Sequence, residues 1–451
     1  MRQAILVAGL GYGDEGKGSI VDFLVRETGA HTVVRYNGGP QAGHNVVLAD
    51  GRHHTFSQFG SGTFVPGTLT YLSRHVWIAP GPLLREAVHL EASGIPDALA
   101  RLTIDGGAGI ITPFQRAANR IRELTRGSAR HGSCGMGVGE AQADFLQGEV
   151  LLAHELHYPE HARWKLERSR EHKRREIDAL APPASDAILA EYRVLDDPDA
   201  VERELQFYEE LREAATIATN LALLTRPGTI IFEGAQGVLL DQWHGFHPYT
   251  TWTDTTFANA DLLLRQCEGN HFVTRLGVLR TYATRHGPGP FVTETPDLST
   301  LLQDPRNPPG DWQGHLRFGW PDFVATRYAL DVLGPIDGLA LTHIDALDHL
   351  AEWWACTAYT TPGSGDLRTI SRLPVSHERE IKTQEALTRI LQQATPIYER
   401  IGSATPGDFV VALEDILGVR VSIGSIGPTA GGKMAMTRSL RRAEEQPCQL
   451  V

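Results

Sequence analysis

Cysteines are few in this chain, and apolar runs long enough to span a membrane are absent. The 451 residues include four scattered cysteines without the close spacing of a metal site: Cys134, Cys267, Cys356 and Cys448. No secretory signal is recognisable, because the first apolar run is short and leads straight into glycines. We therefore expect a reduced protein of the cytoplasm with no membrane partner. Only Cys134 lies in a glycine-rich loop, where a functional role is open.

Positive charge is also in short supply. The chain carries 42 lysines and arginines against 54 aspartates and glutamates, which gives a formal net charge of -12. Nucleic-acid binding needs a basic surface, so this balance argues against it and favours small-molecule partners. Any cation that binds a phosphate must then be a local feature. Lysine is the rarer basic residue, so Lys17 stands out as a candidate, whereas Lys433 in the glycine-rich tail is expected to be solvated.

What the chain does contain is a series of apolar runs typical of an α/β fold. Hydrophobic residues make up 41% of the chain, which suffices for a sizeable core. The run Gln3–Ala8 predicts a buried strand, residues 18–26 predict a helix, and His31–Tyr36 predicts the next strand of a parallel sheet. We expect one α/β domain over residues 1–451, with a large mostly parallel sheet, flanking helices and a helical insertion at about 151–225. The charged stretch Arg163–Arg175 of that insertion is expected to be a solvated helix face.

Polar or glycine-rich motifs repeatedly follow these apolar strands. In open parallel sheets, ligands bind beyond the carboxyl ends of the strands, so the motifs predict one shared cleft. They are Gly9–Ser19, Asn37–Asn45, Glu233–Gly237, His343–Asp348 and Ser425–Pro428.

The first of these motifs has the composition of a phosphate-binding turn. Gly11 to Lys17 shows the G-x4-G-K spacing of a P-loop, and its backbone N–H groups and the following helix N-terminus favour an anion. Gly18 stands where a P-loop has the serine or threonine that holds Mg²⁺. Asp14, inside the loop, is therefore the candidate metal ligand.

Two motifs carry a resemblance to a known family. Gly13–Gly18 resembles the hallmark of the adenylosuccinate synthetase family, usually Gly-Asp-Glu-Gly-Lys-Gly-Lys, and Val34–Asn45 is similar to its VRYQGGHNAGHT segment. The resemblance implies GTP-driven, Mg²⁺-dependent phosphorylation of a purine 6-oxygen, followed by attack of the aspartate amine. It assigns proton removal from purine N1 to Asp14, with Lys17 beside the phosphates, and the phosphoryl-facing acid to His44. The Mg²⁺ ligands would be Asp14 and the Gly43 carbonyl.

The same resemblance assigns the nucleotide-binding residues. Thr342–Asp348 resembles the family's TKLDVLD, in which the first aspartate accepts hydrogen bonds from guanine; Asp345 fits this role, so GTP is expected, with ATP possible. His343 replaces the family's lysine. The implied nucleotide-binding residues are Gly13, Glu15, Gly16, Gly18, Gly43, Asn45, His343, Asp345, Ser425 and Gly427.

The acceptor and amino-acid segments match less well. The resemblance implies substrate binding by Gln41, Gln236, Thr251, Ser133, Cys134 and Arg317. Ser133 and Cys134 replace two threonines that hold the monophosphate, and an acidic stretch replaces the basic run that reaches a partner subunit. The family's TTGRRRRTGW, whose arginines clamp the amino acid, becomes 311–320 here, and Arg317 alone remains of the four arginines.

Three functions remain open from the sequence. The first is a ligase that joins L-aspartate to IMP through a 6-phosphoryl intermediate and forms adenylosuccinate. The resemblance implies that this ligase is a homodimer. The second applies the same chemistry to another 6-oxopurine nucleotide such as (d)GMP, or to a different amine. The third is a nucleotide-binding regulator without turnover, which the retained Asp14 and His44 disfavour.

Overall fold

The fold is described from a computed structural model. It describes residues 2–436 apart from positions 220, 268, 303, 305, 306, 308, 309, 311, 364, 365, 377, 403 and 404. In that part of the chain, no helix has both the length and the apolar character needed to cross a bilayer. Cys448 and the first residue of segment 311–320 lie outside the described residues.

The strands alternate with helices through much of the chain. They are Arg2–Gly9 (β1), Thr32–Arg35 (β2), His44–Val47 (β3), His53–Phe56 (β4), Leu69–Leu72 (β5), Trp77–Ile78 (β6), Leu102–Ile104 (β7), Gly109–Ile110 (β8), Leu151–Leu152 (β9), Thr216–Ile217 (β10), Gly228–Gly237 (β11), Phe272–Arg280 (β12), Ala283–His286 (β13), Leu316–Gly319 (β14), Gly338–Thr342 (β15), Trp354–Pro362 (β16), Leu367–Ile370 (β17), Thr395–Arg400 (β18), Val421–Ser425 (β19) and Lys433–Ala435 (β20).

The helices flank the sheet and form the insertion. They are Lys17–Thr28 (α1), Pro80–Ala92 (α2), Pro113–Arg126 (α3), Val138–Leu146 (α4), Pro159–Leu180 (α5), Asp186–Asp196 (α6), Ala200–Ala214 (α7), Ala222–Thr225 (α8), Ala258–Arg265 (α9), Leu298–Leu301 (α10), Phe323–Leu333 (α11), Ile381–Gln392 (α12) and Pro406–Leu417 (α13).

The predicted large parallel sheet is confirmed. Ten strands lie in the order β10-β7-β5-β2-β11-β1-β12-β15-β19-β20. Its pairs are parallel except the edge pair β19–β20, which is antiparallel. β1 lies inside the sheet between β11 and β12 and is buried on both faces, as its uninterrupted apolar run predicts. The loops that follow the parallel strands therefore lie together at one edge of the sheet.

The insertion is helical, as predicted, but one part of it is not a solvated face. α5 ends at Leu180, just before Pro182-Pro183, and α6 and α7 follow. Lys173, inside the charged stretch, is only 1% exposed. Its ammonium lies 2.7 Å from Asp144 and 3.2 Å from Glu140, both on α4. The prediction of full solvation is wrong there, because facing carboxylates compensate the buried charge.

Several small antiparallel sheets were not predicted. β3 and β4 form a hairpin, β13 pairs with β14, and β16 lies between β17 and β18. Short strands with mixed polar and apolar residues give weak periodicity, which explains why they escaped the sequence analysis. The first hairpin matters most, because β3 begins at His44 and so fixes that residue against the central sheet.

Candidate active site

One large cleft lies at the carboxyl edge of the sheet. It has a volume of about 820 Å³ and is lined by the loops after β1, β2, β11, β12, β15 and β19. The predicted residues that line it are Gly13, Asp14, Gly16, Lys17, Gly18, Gln41, Gly43, His44, Asn45, Ser133, Cys134, Gln236, Thr251, His343, Asp345, Ser425 and Gly427. Motifs that are far apart in sequence are thus brought together as the strand-end argument predicts.

The first glycine loop has an unusual backbone conformation. Gly13 and Gly16 have φ angles of 90° and 92°, and Asp14 between them has a φ of 62°, in the left-handed region that non-glycine residues seldom adopt. Gly16 caps α1 directly before Lys17. The left-handed Asp14 places its carboxylate at the cleft while the helix N-terminus faces the same space, which suits an anion with a bound cation.

The buried Glu15 side chain holds this loop through hydrogen bonds to its backbone. Its carboxylate accepts N–H bonds of 2.9 Å from both Gly11 and Gly13, and the Lys17 ammonium lies 2.5 Å from it. Both side chains of the Glu15–Lys17 pair are buried. Glu15 thus holds the loop backbone and the lysine in place, and its assignment to nucleotide binding stays a prediction.

The Asp14 carboxylate faces a second polar group. His286 Nε2 lies 3.7 Å from Asp14 Oδ2 and 2.9 Å from Asn307 Oδ1. The backbone carbonyl of Asp14 accepts a 2.5 Å bond from Arg280 Nε. Arg280 and His286 also line the cleft, and the sequence analysis gave neither a role. The position of His286 at the end of β13 was the available signal.

His44 is held by a buried carboxylate. Its Nδ1 lies 2.6 Å from Glu233 Oε1, and the Ser61 backbone N–H and hydroxyl donate to the same carboxylate. Burial alone would raise the pKa of Glu233, but His44, Arg35 and Ser61 lower it to about 2. Glu233 is therefore ionised, and Nδ1–H of the imidazole donates to it.

The other ring nitrogen of His44 is left to face the cleft. Burial, helped by Arg35 and Lys17 and opposed by Glu233, lowers the pKa of His44 below its usual value. In the protein alone the imidazole is therefore neutral, and an anion arriving in the cleft would favour its protonation. Glu233 was recognised in sequence only as part of a motif, because a partner 189 positions away leaves no local signal.

Two cleft glutamines have buried polar atoms that find no hydrogen-bond partner among the described residues. These are Nε2 and Oε1 of Gln41 and Oε1 of Gln236. Gln236 has a φ of 56°, so its backbone is also in the left-handed region. Buried amides are normally hydrogen-bonded, and these can both donate and accept, as a purine base requires. The unpartnered amide atoms of these two glutamines therefore support the binding of a ligand at this place.

The second glycine loop, residues 132–139, is hydrogen-bonded to α3. Ser133 Oγ donates to Asn119 Oδ1 at 2.8 Å, and Glu123 Oε2 accepts the N–H groups of Gly132 (3.1 Å) and Ser133 (3.3 Å). Burial raises the pKa of the Cys134 thiol to about 11, so it is not a thiolate at neutral pH. Glu123 and Glu140 also line this end of the cleft, and each is ion-paired with an arginine of the same lining, Glu123 with Arg126 (2.5 Å) and Glu140 with Arg122 (2.8 Å).

Arg317 is engaged away from the cleft. Its Nε donates to Glu294 at 2.9 Å, and its Nη1 donates to the carbonyls of Gly287 (3.0 Å) and Gly289 (3.1 Å). His315, from the same segment, is exposed. The predicted role of Arg317 in substrate binding stays a prediction that its contacts do not favour.

His343 and Asp345 stand at the opposite end of the cleft. His343 has a φ of 58° and its ring lies edge-on to Tyr282, with centroids 5.5 Å apart. Burial and the charges of Arg280 and Lys433 lower the pKa of His343 well below its usual value, so the ring is neutral. Lys433 itself is 5% exposed, so the prediction of a solvated lysine is wrong.

The predicted Mg²⁺ site at Asp14 and the Gly43 carbonyl agrees only in part with the residues that line the cleft. The described residues hold no group of three or more His, Cys, Asp or Glu side chains that could enclose a cation. Asp14 and the backbone of Gly43 line the same cleft, however, and Mg²⁺ is often held by one or two protein oxygens together with substrate phosphates.

Comparison with known proteins places the chain in a family. A family model described as adenylosuccinate synthetase matches residues 6–432. The adenylosuccinate synthetases of Stenotrophomonas maltophilia (strain R551-3) and Xanthomonas campestris pv. campestris (strain B100) are both 31% identical, over 97% of this chain and 99% of each relative.

Solved structures agree on the fold. The fully ligated adenylosuccinate synthetase of Plasmodium falciparum has a TM-score of 0.79 at 21% identity, covering 96% of this chain and 99% of that one. The cyanophage S-2L succinoaminodeoxyadenylate synthetase PurZ has a TM-score of 0.54 at 17% identity, covering 96% and 95%. The predicted fold, family and ligase class are confirmed: this chain belongs to the adenylosuccinate synthetase family and is a ligase.

Proposed function

We propose that this ligase joins L-aspartate to the 6-position of IMP with GTP and Mg²⁺ and forms adenylosuccinate. The observation that carries the proposal is the convergence of Asp14, Lys17 and the His44–Glu233 pair on one cleft. A carboxylate for proton removal and an imidazole facing the phosphoryl group are the two groups that the chemistry needs. The family membership supports the same reaction.

The proposed reaction has two steps. Asp14 takes the N1 proton of the purine while O6 attacks the γ-phosphorus of GTP, so that a 6-phosphoryl intermediate forms and GDP leaves. The aspartate amine then attacks C6 and expels inorganic phosphate. Mg²⁺ held by Asp14 and the Gly43 carbonyl would neutralise charge on the phosphates when bound.

The protein groups act by position and charge. His44 donates a hydrogen bond to the γ-phosphoryl oxygens, and Glu233 stabilises the positive charge that the imidazole gains there. Gln41 and Gln236 would satisfy their unpartnered amides on the acceptor base, and Thr251 would meet its phosphate. Asp345 would accept hydrogen bonds from the donor guanine, with His343 beside it.

A second candidate keeps this chemistry and changes a substrate. It is favoured by one observation: Arg317, the arginine expected to bind the amino acid, is bound to Glu294 and does not line the cleft. The acceptor would be another 6-oxopurine nucleotide such as (d)GMP, or the amine would not be aspartate. PurZ, whose fold is similar, is a complex with dGMP and with dATP as an energy donor, so both nucleotides belong in the test.

The test is turnover by the purified full-length chain. With GTP, Mg²⁺, IMP and L-aspartate, we expect release of GDP and the ultraviolet absorbance change of a succino-purine. GDP release only with dGMP as acceptor or with another amine, or turnover only with ATP or dATP as donor and release of ADP or dADP, would instead support the second candidate. Tight triphosphate binding without turnover across the whole panel would support the non-catalytic regulator and overturn both.

Assembly and location are further proposals. Family resemblance supports a homodimer in the cytoplasm, and light scattering of the purified chain tests the dimer. Turnover that stays proportional to protein concentration across the dissociation range would contradict a requirement for the partner subunit.

A further inference from the structure

A seven-residue turn, residues 426–432, closes the end of the cleft where His343 and Asp345 stand. It joins β19 to the antiparallel β20, with Ser425 opposite Lys433. The Ile426 N–H donates to the Gly432 carbonyl at 2.8 Å and closes the turn. Ser425, Gly427 and Pro428 line the cleft, so the conformation of this turn sets the shape of that end.

The Lys433 ammonium lies behind the turn and holds it. Nζ donates to three successive carbonyls, those of Gly427 (3.3 Å), Pro428 (3.3 Å) and Thr429 (2.9 Å). An ammonium group has three N–H donors, and here three carbonyls take them. Lys433 therefore has no donor to spare for a phosphate, and its contacts are all with the turn.

The ammonium also connects the turn to the rest of the cleft. Burial lowers the pKa of Lys433 to about 8, while the carboxylates of Asp22 on α1 and Asp345 oppose that shift. Asp22 is 1% exposed and accepts a 2.9 Å bond from Arg26. α1 is the helix that follows the phosphate loop. The Lys433 charge therefore interacts both with a carboxylate on that helix, Asp22, and with Asp345 at the other end of the proposed donor site. His343, also within reach of the Lys433 charge, is neutral.

We propose that Lys433 is a positioning residue for the base of the triphosphate donor, because its ammonium gathers three carbonyls and fixes the turn that lines the base end of the cleft. The inference rests on the proposed function, in which this end of the cleft holds the donor base. Lys433 does not touch the donor; it acts through the backbone of Gly427 and Pro428.

The role predicts a selective loss. In Lys433→Ala the three carbonyl oxygens converge without a cation, and the turn must open. Losing charged hydrogen bonds of this kind weakens donor binding at least about tenfold. The acceptor lies at the other end of the cleft, so its KM should stay within about twofold, since sites without shared partners act nearly independently.

The test is calorimetric binding of GDP, and in parallel ADP, with Mg²⁺ to the full-length chain. Lys433→Ala should raise the donor Kd at least about tenfold, whereas Lys433→Arg, which keeps the charge and N–H donors, should restore most of the affinity. Lys382→Ala, at an exposed lysine of α12, is the matched control and should bind like the wild type. Thermal unfolding of each variant reports whether the fold is kept.

A pH series gives a second readout that a merely structural lysine would not produce. Wild-type donor affinity should fall as the pH rises through about 8, because Lys433 then loses its proton between Asp22 and Asp345. Lys433→Arg should show no such fall. This comparison decides the matter if Lys433→Ala does not fold.

The outcomes separate this inference from the proposed function. A wild type that binds neither GDP nor ADP overturns the proposed function and the inference with it. A wild type that binds a donor, with Lys433→Ala equal to it within twofold, overturns the inference alone. An equal loss of donor and acceptor binding in Lys433→Ala, or the same pH dependence in Lys433→Arg as in the wild type, also overturns it.

Discussion

Replacing Glu233 by glutamine isolates the contribution of one buried charge to phosphoryl transfer. The glutamine amide keeps an oxygen that accepts the hydrogen bond from His44 Nδ1, so the imidazole stays oriented. The substitution removes the negative charge that stabilises a positive imidazole beside the transferred phosphoryl group. It also places an amide NH2 opposite the Ser61 backbone N–H, which should lower stability. We therefore expect a fall in kcat with little change in KM.

The magnitude follows from the type of hydrogen bond. A bond to a charged group contributes about 1.5–3 kcal/mol and a neutral one about 0.5–1.5 kcal/mol, so the charge itself contributes roughly 1–2 kcal/mol. Each 1.36 kcal/mol changes a rate about tenfold, so kcat of Glu233→Gln should fall by about 5- to 30-fold. Full removal in Glu233→Ala should cost more, because His44 then loses its orientation as well.

The assay is steady-state GDP release at saturating substrates, corrected for the folded fraction. Glu86→Gln is the matched control, since Glu86 is also buried, accepts two 2.9 Å backbone N–H bonds from Ser57 and Gln58, and lies 3.6 Å from His54. That control should lose stability and keep kcat. Equal kcat values for Glu233→Gln and the wild type would refute the reasoning.

Three further changes test other parts of the site and the fold. Asp14→Asn should lower turnover by about 10²–10⁴-fold through loss of the base, and GDP release near the wild-type rate would remove Asp14 from the mechanism. Gly18→Ala adds a Cβ only 2.6 Å from the Cβ of His44, so kcat should drop, whereas Gly407→Ala, with its nearest contact at 3.5 Å, should stay active; equal activities would contradict this. Burial raises the pKa of Glu204 from 4.5 to about 7, so the folded state favours the protonated form. The stability this gives is present below pH 4.5 and is lost as the pH rises to about 7, on the order of 3 kcal/mol, and urea unfolding of Glu204→Gln should show that slope removed.

The parallel sheet could be predicted because buried strands leave long apolar runs in the sequence. β1 and β11 are of this kind, and the polar residues after them mark the cleft. β3 and β18 are short and mix polar with apolar residues, so their pairing depends on contacts that the local pattern does not record.

Side-chain partners were the least predictable part of the site. The motifs identified His44 and Glu15, but a motif does not say that Glu233 holds the imidazole or that Glu15 lies under its own loop. Lys433 is another example, because burial of a lysine depends on carbonyls that meet only when the turn folds. The confirmed predictions concern the parallel sheet, the family and the ligase class, whereas the missed ones concern short strand pairs and side-chain hydrogen bonds.

The position of β1 in the sheet also determines how two nucleotides would share the cleft. Five strand spacings of about 4.8 Å each separate β2 from β19, so the loops above them span roughly 24 Å. Ligands would lie across the strands, their reacting atoms above β1 and their outer ends toward the two flanks. Asp14 follows a strand near the middle of that span, two spacings from β2 and three from β19, so both flanks are within reach, whereas a catalytic carboxylate after β2 or β19 would meet only one of the two molecules.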